Sequence, residues 1–446
     1  MNRRRRVPLA PVAIVALAAA SCGDGRDIVV GDDYEIVLDP LPASITKVDV
    51  LVVVDDSGSI AAERAAMIAA AGESLFAQLT DDLGQLPDLH VAVVSTDVTI
   101  ELANVPGCAS GADGRFRTGN GTVTCPVQGA YIIDSPDGAG GRTTNYDGAI
   151  ADAFSCFATL DVSGCGFEQP LEAMRRALDG RYPEHAGFLR QDALLVVVML
   201  TDEDDCSAFD PNLFGDPSAG IDSPLGPRTS FRCFEFGVVC DPDQPRAHGV
   251  KTACVPREDS AYVTPVSEYR QFLDGLKLEP GLVMVAGLMG PSDVIEVGPD
   301  VLSPELPALV PACFQPDTDF GTTPPIRLTA LGESFPSRFV FENLCEATTA
   351  GERLRRVTRA TTGVMSRRPC LLGKVGPSTT TERCRAYDVI GTTRAPVEPC
   401  RGAGTSCFVV EPSAQCDYTP SGLAATYRGQ LAAGHRLVVE CLPDSD

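Results

Sequence analysis

Long apolar runs rich in β-branched residues alternate with amphipathic segments over residues 47–365. A continuous apolar run of about seven residues is typical of a strand buried on both faces, as in parallel sheets flanked by helices. The pattern predicts such strands at 48–54, 89–98, 193–200 and 282–288. A weaker strand pattern covers 339–344.

The segments between these strands carry apolar residues at helical spacing. The predicted helices are 61–79, 146–160, 168–178, 269–276 and 351–364. Helix alternating with strand is the βαβ signature of a parallel sheet. We therefore expect residues 47–365 to form an α/β domain, with a doubly wound, mostly parallel sheet and flanking helices.

Residues 366–446 break this alternation. They contain six cysteines, many turn residues and one clear strand pattern at 436–441. Their apolar content alone supports little core, so they predict a small disulfide-rich C-terminal domain. The stretch 207–263, rich in Pro and Gly, is too long for a simple connection and predicts a functional or elaborated insertion.

The amino terminus has the pattern of an export signal. Arg3–Arg6 precede an apolar stretch at 7–20, which is too short to span a membrane and predicts a signal peptide over 1–21. Cys22 directly follows small residues, which resembles a bacterial lipobox. This resemblance implies lipidation of Cys22, a tether over 22–46, and a lipid-anchored place in the cell envelope, with the outer membrane favoured over the inner. The alternative is an ordinary signal peptide beside an incidental Cys22.

The cysteine count fits an oxidising compartment. Of 17 cysteines, 16 remain after Cys22, an even number that can pair completely outside the cytoplasm. We expect eight disulfides, mostly between sequence neighbours. The predicted pairs are 108 with 125, 156 with 165, 370 with 384, and 416 with 441. The pairing of 206, 233, 240 and 254 stays open.

The chain is strongly acidic, with a formal net charge of −24. Loss of residues 1–21 removes four arginines and leaves 32 basic against 60 acidic residues, a net charge of −28. Such a charge excludes nucleic acid as a natural partner, and an acidic ligand needs a cation as intermediary.

The first predicted strand runs directly into Asp55-Asp56-Ser57-Gly58-Ser59. A tight loop there can turn one carboxylate and two hydroxyls toward one point beyond the strand's carboxyl end, where open α/β sheets bind ligands. Hard oxygen ligands suit a divalent cation, with Mg²⁺ expected and Ca²⁺ or Mn²⁺ as alternatives. The other interpretation is a capping turn in which Ser59 starts the next helix.

The pattern Asp-x-Ser-x-Ser after an apolar strand resembles the metal-ion-dependent adhesion site of von Willebrand factor type A (vWA) domains, which have a Rossmann-like sheet. The resemblance implies that Thr201-Asp202, after strand 193–200, supplies the last carboxylate. The implied metal ligands are Asp55, Ser57, Ser59 and Asp202. It also implies an open metal position that the Asp or Glu of a protein partner fills. The chain is similar to cysteine-rich vWA proteins of the Gram-negative envelope.

The sequence departs from that family at two places. Cys165 occupies the position expected for an intermediate threonine ligand, and Glu203 replaces the usual glycine after Asp202. Glu168 is either a substitute oxygen ligand or a helix-start glutamate stabilised by the helix dipole. The run 203–205 is either a second cation site, with Ca²⁺ preferred, or a solvated loop.

Enzyme motifs are missing from the sequence. It has no Gly-rich phosphate loop ending in Lys-Ser or Lys-Thr, no His-Glu-x-x-His and no Gly-x-Ser-x-Gly. Ser57 stands where haloacid dehalogenase phosphatases have a second Asp. We therefore expect a non-enzymatic protein that binds a protein partner through a cation. The alternative is a disulfide-stabilised scaffold with a vestigial metal site.

Overall fold

The structure is a computed structural model. It describes strand Glu35–Leu38 and residues 45–442 except 101–104, 106–107, 110, 120–122, 161–163, 317, 336–337, 367–369, 372–374, 391–392, 403, 418, 420, 430 and 433–434. The predicted signal peptide 1–21 and the predicted lipidation site Cys22 lie outside these residues, as does most of the predicted tether 22–46. No helix within the described residues is long and apolar enough to cross a membrane.

A mixed, mostly parallel sheet forms the centre of the molecule. Its strands are β1 Lys47–Val54, β2 Asp88–Ser95, β3 Ile132–Pro136, β4 Arg142–Thr144, β5 Leu194–Leu200, β6 Val283–Met289 and β7 Phe339–Asn343. The spatial order is β7-β6-β5-β1-β2-β3-β4. Strands β7 to β2 in this order are parallel, and β3 and β4 add an antiparallel edge. The predicted mostly parallel α/β sheet is confirmed.

Helices cover both faces of this sheet. They are α1 Ala61–Ala71, α2 Gln78–Leu83, α3 Ile150–Ala158, α4 Pro170–Leu178, α5 Phe231–Gly237, α6 Val266–Gly275, α7 Ile326–Glu333 and α8 Ala350–Met365. A single π-helical stretch, Gly72–Ala77, joins α1 to α2, so the helical segment extends beyond the predicted end at residue 79.

The alternation of side chains along a strand explains why β1 is apolar throughout. Val50 and Val52 pack on one face in a core that includes residues of α1, α3 and α8. Leu51 and Val53 pack on the other face in a core with residues of α4, α6 and α7. Because successive side chains point to opposite faces, a strand covered on both sides needs an unbroken apolar run.

The long connections contain more structure than the sequence predicts. The loop-rich stretch after β2 holds the edge hairpin of β3 and β4, and α5 and α7 lie within the connections that follow β5 and β6. Short strand segments are Val238–Val239, Gly249–Lys251, Val255–Pro256, Ile295–Pro299, Pro307–Leu309, Cys313–Phe314 and Gly321–Thr322. Elements this short carry too few periodic positions to stand out in the sequence.

The carboxyl-terminal residues form a second set of strands. They are β8 Cys384–Ile390, β9 Thr393–Val397, β10 Cys407–Pro412, β11 Leu423–Arg428 and β12 Arg436–Cys441. Strand β12 matches the predicted strand at 436–441. Strand Glu35–Leu38 pairs with β12 in a four-stranded antiparallel sheet that also contains β8 and β9, although the sequence had suggested only a tether there.

Eight disulfides join all 16 cysteines after Cys22, as predicted. They are Cys108–Cys165, Cys125–Cys156, Cys206–Cys233, Cys240–Cys254, Cys313–Cys345, Cys370–Cys416, Cys384–Cys441 and Cys400–Cys407.

The four predicted neighbour pairings are wrong. The bonds stay within two predicted groups of four cysteines, but in each group they join different partners. The groups are Cys108, Cys125, Cys156 and Cys165, and Cys370, Cys384, Cys416 and Cys441. Cys384 pairs with Cys441 because the two residues face each other across β8 and β12. Cys108 and Cys165 share one buried apolar cluster. The pairing of the cysteines depends on how the helices, strands and loops pack, and proximity in the sequence does not indicate this.

Candidate functional site

The candidate site lies where two adjacent parallel strands end. Val54 of β1 stands opposite Leu200 of β5, so the residues that follow each strand emerge side by side. The Asp55 N–H donates to the Leu200 carbonyl at 2.9 Å. The Thr323 N–H donates to the Asp202 carbonyl at 2.9 Å and fixes the second strand end. The sheet register therefore places Asp55 beside Thr201-Asp202.

Asp55 is the most constrained side chain of the site. It is fully buried, and its Oδ1 accepts the Ser57 N–H at 2.8 Å. Its Oδ2 accepts the Thr201 hydroxyl at 2.8 Å. The Arg64 guanidinium does not pair with this carboxylate but donates to the Asp55 carbonyl at 2.7 Å. The carboxylate is thus held in one orientation, and Arg64 does not form an ion pair with it.

The two serines complete the predicted set. The Ser57 and Ser59 hydroxyl oxygens are 2.9 Å apart, and the Ser59 side chain lies near enough to Asp202 to lower the pKa of its carboxyl. Ser59 is exposed and Ser57 is half-buried, so the site opens to solvent. Ser59 does not cap the next helix, because α1 has Ile60 at its N-cap and no side-chain capping bond. The structure therefore brings Asp55, Ser57, Ser59 and Asp202 together.

Asp202 carries a carboxylate without a full set of partners. The residue is 5% exposed, and its Oδ1 is buried without a hydrogen-bond partner among the described residues. Burial, and then the charge of Asp55, raise the pKa of Asp202 to about 7. Burial and the carboxylates of Asp202 and Asp55 raise the pKa of the half-buried Glu203 to about 8. The site holds more negative charge than its surroundings balance.

The remaining acids of the run 203–205 are structural, so neither interpretation from the sequence describes them. Asp204 accepts the backbone N–H groups of Arg327 and Leu328 at the start of α7, at 3.0 and 3.2 Å. Asp205 is fully buried and pairs with the equally buried Arg327 at 3.0 Å. Both acids anchor α7 through helix-start N–H groups or a buried ion pair.

Glu168 and Thr96 join the site, and sequence analysis missed Thr96. Thr96 follows β2, the strand next to β1, and is fully buried. Its hydroxyl donates to Glu168 Oε2. Burial, followed by the nearby charge of Asp55, raises the pKa of Glu168 well above its ordinary value. The signal available in the sequence was a threonine at the carboxyl end of the neighbouring strand.

A second acidic pair lies next to the first. Asp56 Oδ2 accepts the Ser95 hydroxyl at 2.8 Å, and burial raises the pKa of Asp56. Burial and then the charge of Asp56 raise the pKa of Asp97 to about 6. A Cβ on Gly164 would lie 2.2 Å from Asp56 Oδ1. Because glycine has no side chain, the loop at position 164 can pack directly against Asp56.

Cys165 cannot supply the oxygen that the family resemblance implies. Its sulfur is bonded to Cys108, and not to Cys156 as the sequence had suggested. Thr144 lies exposed in edge strand β4. An intermediate ligand, if the cation needs one, must come from another residue.

The side chains at this site can bind a hard cation only if the serine hydroxyls act as ligands together with the carboxylates. Among the described residues, no three or more His, Cys, Asp or Glu side chains are placed to hold a metal ion by themselves. Asp55 and Asp202 supply carboxylates, and Ser57 and Ser59 supply hydroxyls, a mixture that Mg²⁺ and Ca²⁺ accept together with water. The unpartnered Asp202 Oδ1 fits a cation ligand.

Comparisons with known proteins leave the family open. No protein-family model matches the chain, and no curated protein matches it. Among solved structures, the pilus adhesin SpaC of Lactobacillus rhamnosus GG, in its open conformation, has 11% identity and a TM-score of 0.33, with 90% of this chain covering 39% of the adhesin.

Two other solved structures are similarly distant. The pilus adhesin RrgA of Streptococcus pneumoniae has 11% identity and a TM-score of 0.31, with 92% of this chain covering 57% of that one. Proximal thread matrix protein 1 of the mussel byssus has 9% identity and a TM-score of 0.28, with coverages of 72% and 50%. The chain thus spans 39% to 57% of these proteins. Similarities at these TM-scores support no conclusion about function.

Proposed function

We propose that the chain is a lipid-anchored cell-envelope protein whose vWA-like domain binds a protein partner through a divalent cation. Asp55, Ser57, Ser59 and Asp202 hold the cation, and a partner's Asp or Glu fills its open position. The protein acts by binding and not by catalysis. Lipidation of Cys22 attaches it to the membrane.

The observation that carries this proposal is the meeting of two separate motifs at one edge of the sheet. Asp55 and Thr201 lie 146 residues apart in the sequence, yet the Thr201 hydroxyl donates to the Asp55 carboxylate at 2.8 Å. The strand order places β1 between β5 and β2, so the residues that follow these three parallel strands reach the same edge of the sheet. The unpartnered Asp202 Oδ1 adds a local reason for a cation.

The cation explains how an acidic protein binds an acidic group. Two carboxylates in the ligand set leave a divalent ion without a large excess of negative charge, so it remains electrophilic toward a further carboxylate. Ser59 is exposed, which leaves the ion accessible from solvent. The pKa values of Asp202 and Glu203 are raised because negative charge is unfavourable at this site. Without the ion, a partner's carboxylate would therefore be disfavoured there.

A disulfide-stabilised scaffold with a vestigial site is the second candidate. The observation in its favour is the Cys108–Cys165 disulfide, which occupies the position of the expected threonine ligand. In a scaffold the disulfides hold the shape, and Asp55 and Asp202 have no ion to bind.

Calorimetric titration of Mg²⁺, Mn²⁺ and Ca²⁺ into chelator-treated protein separates the two candidates. The binding proposal expects one site of millimolar affinity or tighter, and Asp55→Ala abolishes it. Asp192→Ala is the matched control, because Asp192 lies before β5 at the opposite end of the sheet and pairs with Lys47 at 2.7 Å. Failure of all three ions to bind the wild-type protein would leave the scaffold candidate.

A further inference from the structure

An exposed apolar turn lies in the connection between β6 and α7. Strands Ile295–Pro299 and Pro307–Leu309 form an antiparallel hairpin, and the turn that joins them contains Val301 and Leu302. Each of these two residues is 93% exposed. A single exposed apolar side chain is ordinary, whereas neighbouring ones on an ordered turn mark a surface that contacts another molecule.

The sheet behind this turn carries further exposed apolar side chains. Strand Gly249–Lys251, from the connection after β5, pairs with the hairpin and completes a three-stranded sheet. Val250 of that strand is 65% exposed, and Val294, just before the hairpin, is 56% exposed. Ile295 and Val297 instead belong to a buried apolar cluster. The exposed apolar side chains thus belong to one small sheet that has a core of its own.

The turn is held in one conformation by its own hydrogen bonds. The Asp300 carboxylate accepts the N–H groups of Leu302 and Ser303, at 2.9 and 2.8 Å. The Asp300 N–H donates to the Leu306 carbonyl at 2.8 Å, and the Leu306 N–H donates to the Ser303 carbonyl at 2.8 Å. A turn that is ordered before binding loses little conformational entropy when a partner covers it.

The connection that carries the turn begins and ends beside the candidate site. Strand β6 ends at Met289, and a Cβ on the following Gly290 would collide with the Thr322 hydroxyl. The N–H of the next residue, Thr323, donates to the Asp202 carbonyl at 2.9 Å. The connection therefore leaves the carboxyl edge of the sheet and returns to it next to Asp202.

The charges of this part of the chain are all negative. Residues 278–326 contain no lysine, arginine or histidine. They contain seven acids, which are Glu279, Asp293, Glu296, Asp300, Glu305, Asp317 and Asp319. Glu305 lies in the turn and is exposed. A binding surface with lysine or arginine side chains around its apolar centre complements these charges.

The same charges disfavour a lipid surface and a second copy of the chain. Anionic headgroups attract basic segments and repel acidic ones. Residues 278–326 also lack the tryptophan and tyrosine side chains that anchor proteins at membrane interfaces. A second copy carries a formal net charge of −24, so long-range repulsion opposes self-association.

We propose that Val301 and Leu302 form a docking tip for a protein partner, which receives them in an apolar pocket bordered by lysine or arginine side chains. Asp300 is a positioning residue that fixes the turn, and Glu305 supplies charge at its border. This contact uses no cation, so it is separate from the function proposed above.

Photo-crosslinking in the cells that produce the full-length protein identifies what covers the tip. The photoreactive residue p-benzoylphenylalanine replaces Leu302. Leu278 is the matched control position, because it is 83% exposed and lies before β6 at the opposite end of the sheet. Mass spectrometry locates the cross-linked residues of the partner. The partner is then purified, and its affinity for the protein is measured by calorimetry with and without chelator.

We expect position 302, and not position 278, to cross-link to a protein surface in which apolar residues adjoin lysine or arginine. Leu302→Asn should weaken binding of that protein roughly 10–100-fold, as expected for the loss of one buried leucine contact. Leu278→Asn should leave the affinity unchanged. Glu305→Gln should weaken binding less and reduce its dependence on salt. All three side chains are exposed, so circular dichroism should show an unchanged fold.

Other outcomes overturn the inference. Equal cross-linking at 302 and 278, or none at 302, would mean that the tip has no partner. Cross-links to lipid, with Leu302-dependent binding to vesicles of phosphatidylethanolamine and phosphatidylglycerol, would make the tip a membrane contact. Cross-links to a second copy of the chain would make it a self-association surface. A partner whose binding requires a cation and is unaffected by Leu302→Asn would support the proposed function and refute the docking tip.

Discussion

Asp202→Asn tests whether the candidate site carries a charge that only a cation can balance. Asp202 is 5% exposed and borders Asp55, and its pKa rises from 3.8 to about 7. A difference of about 3 in pKa corresponds to about 4 kcal/mol between the ionised and neutral forms above pH 7. Burial is the largest cause of this rise and the charge of Asp55 is the second, and we assign about half of the free energy, about 2 kcal/mol, to the substitution.

The pH dependence has a defined sign. The folded-state pKa of Asp202 is raised above its unfolded value of 3.8. Its contribution to stability is therefore fully present below about pH 4 and is lost as the pH rises through about 7. Asparagine has no such titration. Metal-free Asp202→Asn should thus be more stable than metal-free wild-type protein at pH 8, and the difference should vanish near pH 4.

Thermal unfolding of both proteins in chelator, followed by circular dichroism from pH 4 to 8, measures this effect. For a chain of this length, about 2 kcal/mol corresponds to a rise in Tm on the order of 2 °C. Added Ca²⁺ or Mg²⁺ should reverse the order at pH 8, because only the wild-type protein gains stability from bound ion. A metal-free Asp202→Asn protein that is less stable than wild type at pH 8 would refute the reasoning.

Other predictions concern the anchor, the covalent framework and the surroundings of the site. Cys22→Ser should move the protein from the membrane to the soluble fraction on cell fractionation; retention in the membrane would mean that the anchor lies elsewhere. Arg327→Met leaves Asp205 buried without its partner and should lower the free energy of unfolding by roughly 3–5 kcal/mol, with part restored by adding Asp205→Asn; equal urea midpoints would contradict it. Gly164→Ala places a Cβ against Asp56 Oδ1, 2.2 Å away, and should cost about 1–3 kcal/mol of stability; an unchanged Tm would show that the loop relaxes freely.

The sequence contained enough information for the central sheet. The strands at 48–54 and 193–200 were predicted within one residue of β1 and β5, because a strand covered on both faces must be apolar at every position. Helix α8 was likewise predicted within about one residue at each end. The hairpin of β3 and β4 was not predicted, because its short strands lie partly exposed at the sheet edge and show little alternation.

The sequence also indicated Asp55, Ser57, Ser59 and Asp202, because the first three form a local motif and the last follows a recognisable strand. Their convergence required the strand order, since β5 must lie beside β1. Whether these residues hold a cation stays a prediction.

Only the tertiary structure decided which residues surround that motif. Thr96 and Glu168 are 72 residues apart, and their contact depends on β2 lying beside β1 and on the loop before α4 folding over both. The run 203–205 gave no local sign that Asp205 would be buried against Arg327, 122 residues away. Disulfide partners depended on packing for the same reason: a bond forms between cysteines that the folded elements bring together. Local side-chain patterns determine elements, whereas the partners of a buried charge or thiol are determined by contacts between distant parts of the chain.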